Sequence, residues 1–164
     1  VSAVWRWPLP GVSGAVIPRD GDAGAFGTVR RHDVHTGVDL HCDEGQAVLA
    51  VEDGVVVAVE AFTGPSAGSP WWLPTQAVLI EGASGVVLYG EVVPEGPMVV
   101  GALVAQGDRV GVVTRVLRHD KGVPTTMLHL ELYAPGARAG VWWRHGEAQP
   151  EALRDPTAHL RAMG

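Results

Sequence analysis

The chain has 164 residues, of which 46% are hydrophobic and 18% charged, a balance typical of a single folded domain and far from that of disordered chains. Its 22 glycines and 12 prolines exclude a helical bundle and suit short strands joined by tight turns. A net charge of −6 with no Lys/Arg run argues against nucleic acid or an anionic membrane as the main partner; one cysteine excludes an intrachain disulfide framework, and no stretch is apolar for long enough to span a membrane.

The start, Val1-Ser2-Ala3-Val4-Trp5, has neither an initiator Met nor the shape of a signal peptide, which fits a domain exposed after removal of a leader. Residues 1–34 read as an opening segment and loop, rich in Gly and Pro and without a sustained period. Within it, Trp5 and Trp7 flank Arg6, as on one face of a short strand. Residues 35–133 read as a β core. Ala47 to Glu60 forms two β-branched runs hinged at Asp53-Gly54, a strong hairpin signal. A second hairpin runs from Ala77 to Glu91 through Gly82-Ala83-Ser84-Gly85. Further short strands are expected around Val99-Val100, over Arg109 to Val113 and over Met127 to Tyr133. Residues 134–164 read as a closing tail with a short turn or helix, making one all-β, mostly antiparallel domain with a groove over its sheet.

Seven histidines stand out in this composition, and histidine is the commonest metal ligand. In His35-Thr36-Gly37-Val38-Asp39 a fully extended chain would hold the outer side chains roughly 13 Å apart. Ligands of one zinc must converge to about 2 Å from it, so the chain must bend, and Gly37 can supply the bend. Asp39 then lies in an apolar strand, where a carboxylate needs a partner or a metal; a surface turn is the competing reading. In Met127-Leu128-His129-Leu130-Glu131, alternation sets Met127, His129 and Glu131 on one face and the leucines on the other. His129 is then either a buried imidazole satisfied by Glu131 or a ligand. Tyr89-Gly90-Glu91 closes a strand, with phenol and carboxylate on one face if the strand is regular.

Taken in order, these segments resemble the lysostaphin-type (LytM-like) zinc peptidases of bacterial cell walls. The likeness runs from Trp7-Pro8-Leu9-Pro10-Gly11 to Arg154-Asp155-Pro156 and includes Leu103 through Gly111. It implies one zinc ion held by His35, Asp39 and His129 with a fourth position open for water, Glu131 as an acceptor fixing a ligand's tautomer, and peptidoglycan-like peptide as substrate outside the cytoplasm. Two histidines of the family pattern are replaced here, by Met127 and Glu91. Met has no proton to exchange, whereas Glu91 can serve as general base, and Tyr89 can offer a hydrogen bond to an oxyanion. The alternative is a catalytically inactive zinc-binding module that binds wall peptide or glycan, or activates another wall enzyme. His41 and His119 are further candidates for the site. Cys42 reads as a small buried hydrophobe, Trp71-Trp72 and Trp142-Trp143 equally as groove walls or as core or a partner surface, and His32 with Arg30-Arg31 as a solvated loop that could touch an anionic substrate.

Overall fold

A computed structural model describes residues 4–119, 122 and 125–163. Its strands are β1 (Val38–His41), β2 (Ala47–Leu49), β3 (Gly54–Thr63), β4 (Thr75–Gly82), β5 (Gly85–Pro94), β6 (Leu103–Val104), β7 (Arg109–Val113), β8 (Met127–Tyr133) and β9 (Leu153–Arg154), followed by the single-turn helix α1 (Thr157–Arg161). One antiparallel sheet runs in the order β1-β8-β5-β4-β3-β6, with β7 joined to β2 and β5, and β9 to β8. The all-β, mostly antiparallel class expected from the Gly- and Pro-punctuated β-branched runs is the class observed.

β4 and β5 form the second expected hairpin, closed by Gly82 opposite Gly85. The Asp53-Gly54 hairpin does not form. β2 pairs with β7, while β3 pairs with β4 and β6. Gly54 is needed for close approach instead of a turn: a Cβ there would stand 2.4 Å from the Glu81 carbonyl oxygen. Trp5 and Trp7 also lie outside any strand. Trp5 is buried, stacks on His159 with ring centroids 4.6 Å apart, and donates its indole N–H to Ser84 Oγ at 3.2 Å. Val99-Val100 are exposed turn residues, and the strand expected there is β6, a few positions later.

Alternation on β8 decides where the core ends. Leu128, Leu130 and Leu132 face the larger apolar cluster together with Val38 and Leu40 of β1, whereas Tyr133 joins the smaller cluster on the other side with Val86 and Leu88 of β5. Cys42 is half-buried at the edge of the larger cluster, short of the full burial expected, and desolvation pushes its thiol up to about 11.

Candidate metal centre and groove

β1 and β8 lie side by side, with Asp39 directly opposite His129, so their side chains share one face at neighbouring positions. His35 precedes β1 by one bend. Gly37 permits that bend because a Cβ on it would come within 2.5 Å of the Leu130 carbonyl oxygen and 3.0 Å of His129 Nε2. The opening loop then folds over: Asp39 N–H donates to Gly24 O at 2.9 Å, and His35 Nδ1 donates to Ala25 O at 2.9 Å. That bond orients the His35 ring and turns its Nε2 toward Asp39 Oδ1, 3.2 Å away.

His129 is held from the other side. Its Nε2 lies 2.8 Å from Glu131 Oε1, while Nδ1 lies 2.8 Å from Asp39 Oδ1. Glu131 is itself fixed by the Thr36 hydroxyl at 2.6 Å and by a bond from the Tyr133 hydroxyl, which in turn accepts the Val141 N–H at 3.1 Å. One ligand atom each from His35, Asp39 and His129 falls within 4.8 Å of the others, and all three residues are buried. Burial alone would raise the Asp39 carboxyl, but hydrogen bonds from His129 and His35 and their charge overcome it and hold the carboxyl well below the ordinary range. Burial would likewise lower His129, yet its bonds to Asp39 and Glu131 raise it well above 6.5.

The position of Glu91 comes from an irregularity. On β5, Gln76 pairs with Val92 but Ala77 pairs with Gly90, so Glu91 is an extra residue in the ladder. Along its other edge β5 changes partner at the same point, from β8 at Gly90 to β7 at Val92. Glu91 adopts φ 64°, a conformation rarely populated by a residue with a Cβ. The bulge turns its carboxyl over to the face of His129, where it lines the same groove, with Oε2 sealed from solvent and without a hydrogen-bond partner. Burial pushes this carboxyl up to about 8.

The same bulge corrects the expectation that Tyr89 and Glu91 share a face. Tyr89 points into the larger apolar cluster, and its hydroxyl accepts the Val51 N–H at 3.0 Å on the far side of the sheet. It therefore does not reach the groove. His41 pairs with Met127 at the exposed end of β1, His119 is exposed, and neither these nor the half-buried Met127 lines the groove.

The groove over the centre holds about 250 Å³. Phe62 forms its floor, with its ring 5.2 Å from that of His129; Gly90 makes room for it, since a Cβ there would meet the Phe62 ring at 3.0 Å. Trp72, Trp142 and Trp143 form its walls. Trp71 is 63% exposed outside the groove, leaning edge-on against Trp72. Arg30, expected as part of a solvated loop that could touch an anionic substrate, lines the groove, and so does Glu60, for which the sequence raised no expectation. Tyr133 lies on the face of His129 and Glu131 and was not among the expected site residues, although alternation on β8 could have found it.

No protein-family model and no curated protein matches the sequence. Solved structures do share its architecture, which is the lysostaphin-type (LytM-like) peptidase fold. CbpA from L. salivarius is 18% identical, with 98% of this chain and 96% of that one covered at a TM-score of 0.55. The catalytic domain of the prophage-encoded EnpA protein from Enterococcus faecalis, solved as a point mutant, is 22% identical, covering 81% and 99% at 0.53. Lysostaphin is 20% identical, covering 80% of this chain and 44% of its own at 0.51. The chain spans only 26% of a zinc-containing peptidase from Vibrio cholerae that it also matches.

Proposed function

We propose that the chain is a zinc-dependent peptidase or amide hydrolase that cleaves peptidoglycan-like peptide outside the cytoplasm, with His35, Asp39 and His129 holding one zinc ion and Glu91 acting as general base. The observation that carries this reading is Glu91, an unpartnered carboxylate oxygen in a sealed position, turned by a bulge with positive φ onto the face of a His-Asp-His cluster. Strain and desolvation of this kind destabilise a fold and tend to collect at working sites.

The donors suit zinc. Two imidazole nitrogens and one carboxylate oxygen are a common catalytic set that leaves a position open. The second ring nitrogen of each imidazole is occupied by a fixed acceptor, Ala25 O or Glu131 Oε1, the usual way of orienting such ligands. Zinc bound there would supply Lewis-acid polarisation and acidify a water. Glu91 would take the proton of the attacking water and return it to the departing amine; a bound dication would favour the ionised form of its raised carboxyl. Glu131 keeps the Nε2 proton of His129 in place, and the tryptophan walls confine an extended peptide over the centre.

Cleavage of wall peptide that stops on chelation and returns with zinc, and that Glu91→Gln abolishes, supports the reading; zinc-loaded protein with no turnover on any wall peptide overturns it. Met127 favours a second reading, a non-catalytic zinc-stabilised binding or activating module, because it replaces a histidine of the family pattern with a side chain that cannot exchange a proton. On that reading Met127→His with Glu91→His creates an activity absent from the native chain, and native turnover at an ordinary rate excludes it.

A further inference from the structure

The replacement of both additional histidines leaves a peptidase of the proposed kind short of a donor for the carbonyl oxygen that becomes negative during attack. The hydroxyls around the groove are committed elsewhere: Thr36 donates to Glu131, Thr63 to Leu73 O, and Ser69 to Gly64 O. The Trp143 indole N–H donates to Glu147 O. Trp72 and Trp142 offer neutral indole donors, which are weaker partners for an anion than a charged one.

Among the described residues lining the groove, Arg30 is the only Lys or Arg, in a lining that also includes Asp33, Asp39, Glu60, Glu91 and Glu131. Its Nη2 lies 3.9 Å from Asp39 Oδ2, on the carboxylate oxygen turned away from the two imidazoles, and donates to Ala23 O at 3.2 Å. A guanidinium has five N–H donors, and this side chain is 43% exposed, so it keeps donors beyond the one given to Ala23 O. Its backbone is pinned at both ends: Arg30 N–H donates to Asp33 O at 2.8 Å, and Arg30 O accepts from His145 Nδ1 at 2.7 Å. His145 N–H in turn donates to His32 O at 3.1 Å, which fastens the loop carrying Arg30 to the turn after Trp143.

We infer that Arg30 is a catalytic residue of this groove, the donor that takes the negative charge developing on the carbonyl oxygen of the amide under attack. The inference rests on the peptidase reading. As the water oxygen bonds to the carbonyl carbon, its proton goes to Glu91 and the C=O π pair moves onto oxygen, where the guanidinium meets it. When the C–N bond breaks, the pair returns to C=O and the proton leaves with the amine. Arg30 keeps its own protons throughout, since guanidinium does not titrate in this range, so it stabilises charge without setting a limb of the pH profile.

The test uses zinc-loaded chain. Arg30→Ala is expected to lower kcat by roughly 10²–10³-fold, the usual effect of losing one oxyanion donor, with KM and zinc stoichiometry unchanged and activity partly restored by added guanidinium ion. Affinity for an alanine-based phosphinic pseudopeptide, which carries the anionic charge, is expected to fall by a similar factor, while affinity for the matching uncleaved amide stays the same. Unchanged kcat in Arg30→Ala overturns the inference alone. So does a loss of activity that accompanies loss of zinc and is not rescued by guanidinium, which would reduce Arg30 to a support for Asp39. A native chain with no turnover overturns the peptidase reading and Arg30's catalytic role with it.

Discussion

The two faces of β8 contrast sharply although they alternate residue by residue. Leu128, Leu130 and Leu132 are buried against a continuous apolar cluster with no polar demands. His129 and Glu131, equally buried, are held by bonds from Thr36 and Tyr133 to Glu131 and by the bonds of His129 to Asp39 and Glu131. The first face supplies stability through area removed from water. The second consumes stability in desolvation and recovers it through a network that keeps two imidazoles and a carboxylate converged. Glu91 belongs to the second face and is the one member whose desolvation no hydrogen bond offsets at Oε2. The faces therefore serve different ends, and substitutions on each should give separable signatures.

The largest effect on folding belongs to the apolar face. Leu130→Ala leaves a cavity between β1 and β5 and is expected to cost about 2–5 kcal/mol in denaturant unfolding, with zinc affinity of the folded fraction unchanged. On the polar face the largest effect is electrostatic. The Glu91 carboxyl titrates at about 8 when folded, against an ordinary 4.5, so the metal-free fold binds this proton more tightly than the unfolded chain does. The corresponding stability is present at acidic pH and declines as pH rises from about 4.5 to 8. Glu91→Gln is expected to remove that decline, leaving the metal-free variant more stable than the parent at pH 8 by on the order of a few kcal/mol. A pH series of thermal melts on both proteins checks it. Asp39 has the opposite sign: its lowered carboxyl contributes stability above the ordinary carboxylate range that is lost as pH falls.

Glu131→Ala removes the acceptor of His129 Nε2 and is expected to weaken zinc binding about 10–100-fold in a competition titration, with a smaller change in folding than Leu130→Ala. The smallest effect separates two neighbours on β5. Tyr89→Phe leaves the Val51 N–H without its partner and is expected to cost about 1–3 kcal/mol of stability with kcat unchanged, whereas a phenol that served the groove would lower kcat.

Residue patterns carried much of this architecture but not its irregularities. Alternation alone separated the leucines of β8 from His129 and Glu131, and the Gly-Ala-Ser-Gly turn of the β4–β5 hairpin was legible because a two-residue connection constrains it locally. The juxtaposition of His35 and Asp39 needed a bend, which Gly37 advertised, although what Gly37 provides is close backbone approach to Leu130. Asp53-Gly54 misled for the same reason, since a glycine required by a neighbouring carbonyl looks in sequence like one required by a turn. The bulge at Glu91 was invisible because it arises where β5 exchanges β8 for β7, a nonlocal event. Regular alternation therefore put Tyr89 on the face of Glu91, and the family resemblance then implied a role for it in the groove. Arg30 reads as a solvated loop residue until the loop is seen fastened through His145 over the groove.

The account rests on Glu91 making the polar face a working site, and one paired measurement tests this directly: zinc content and turnover of wall-type peptide by the native chain and by Glu91→Gln. The expected result is one zinc per chain in both proteins, cleavage by the native chain, and a rate roughly 10²–10⁴-fold lower in the variant. Equal rates in the two, or a zinc-replete native chain that cleaves nothing, would contradict it.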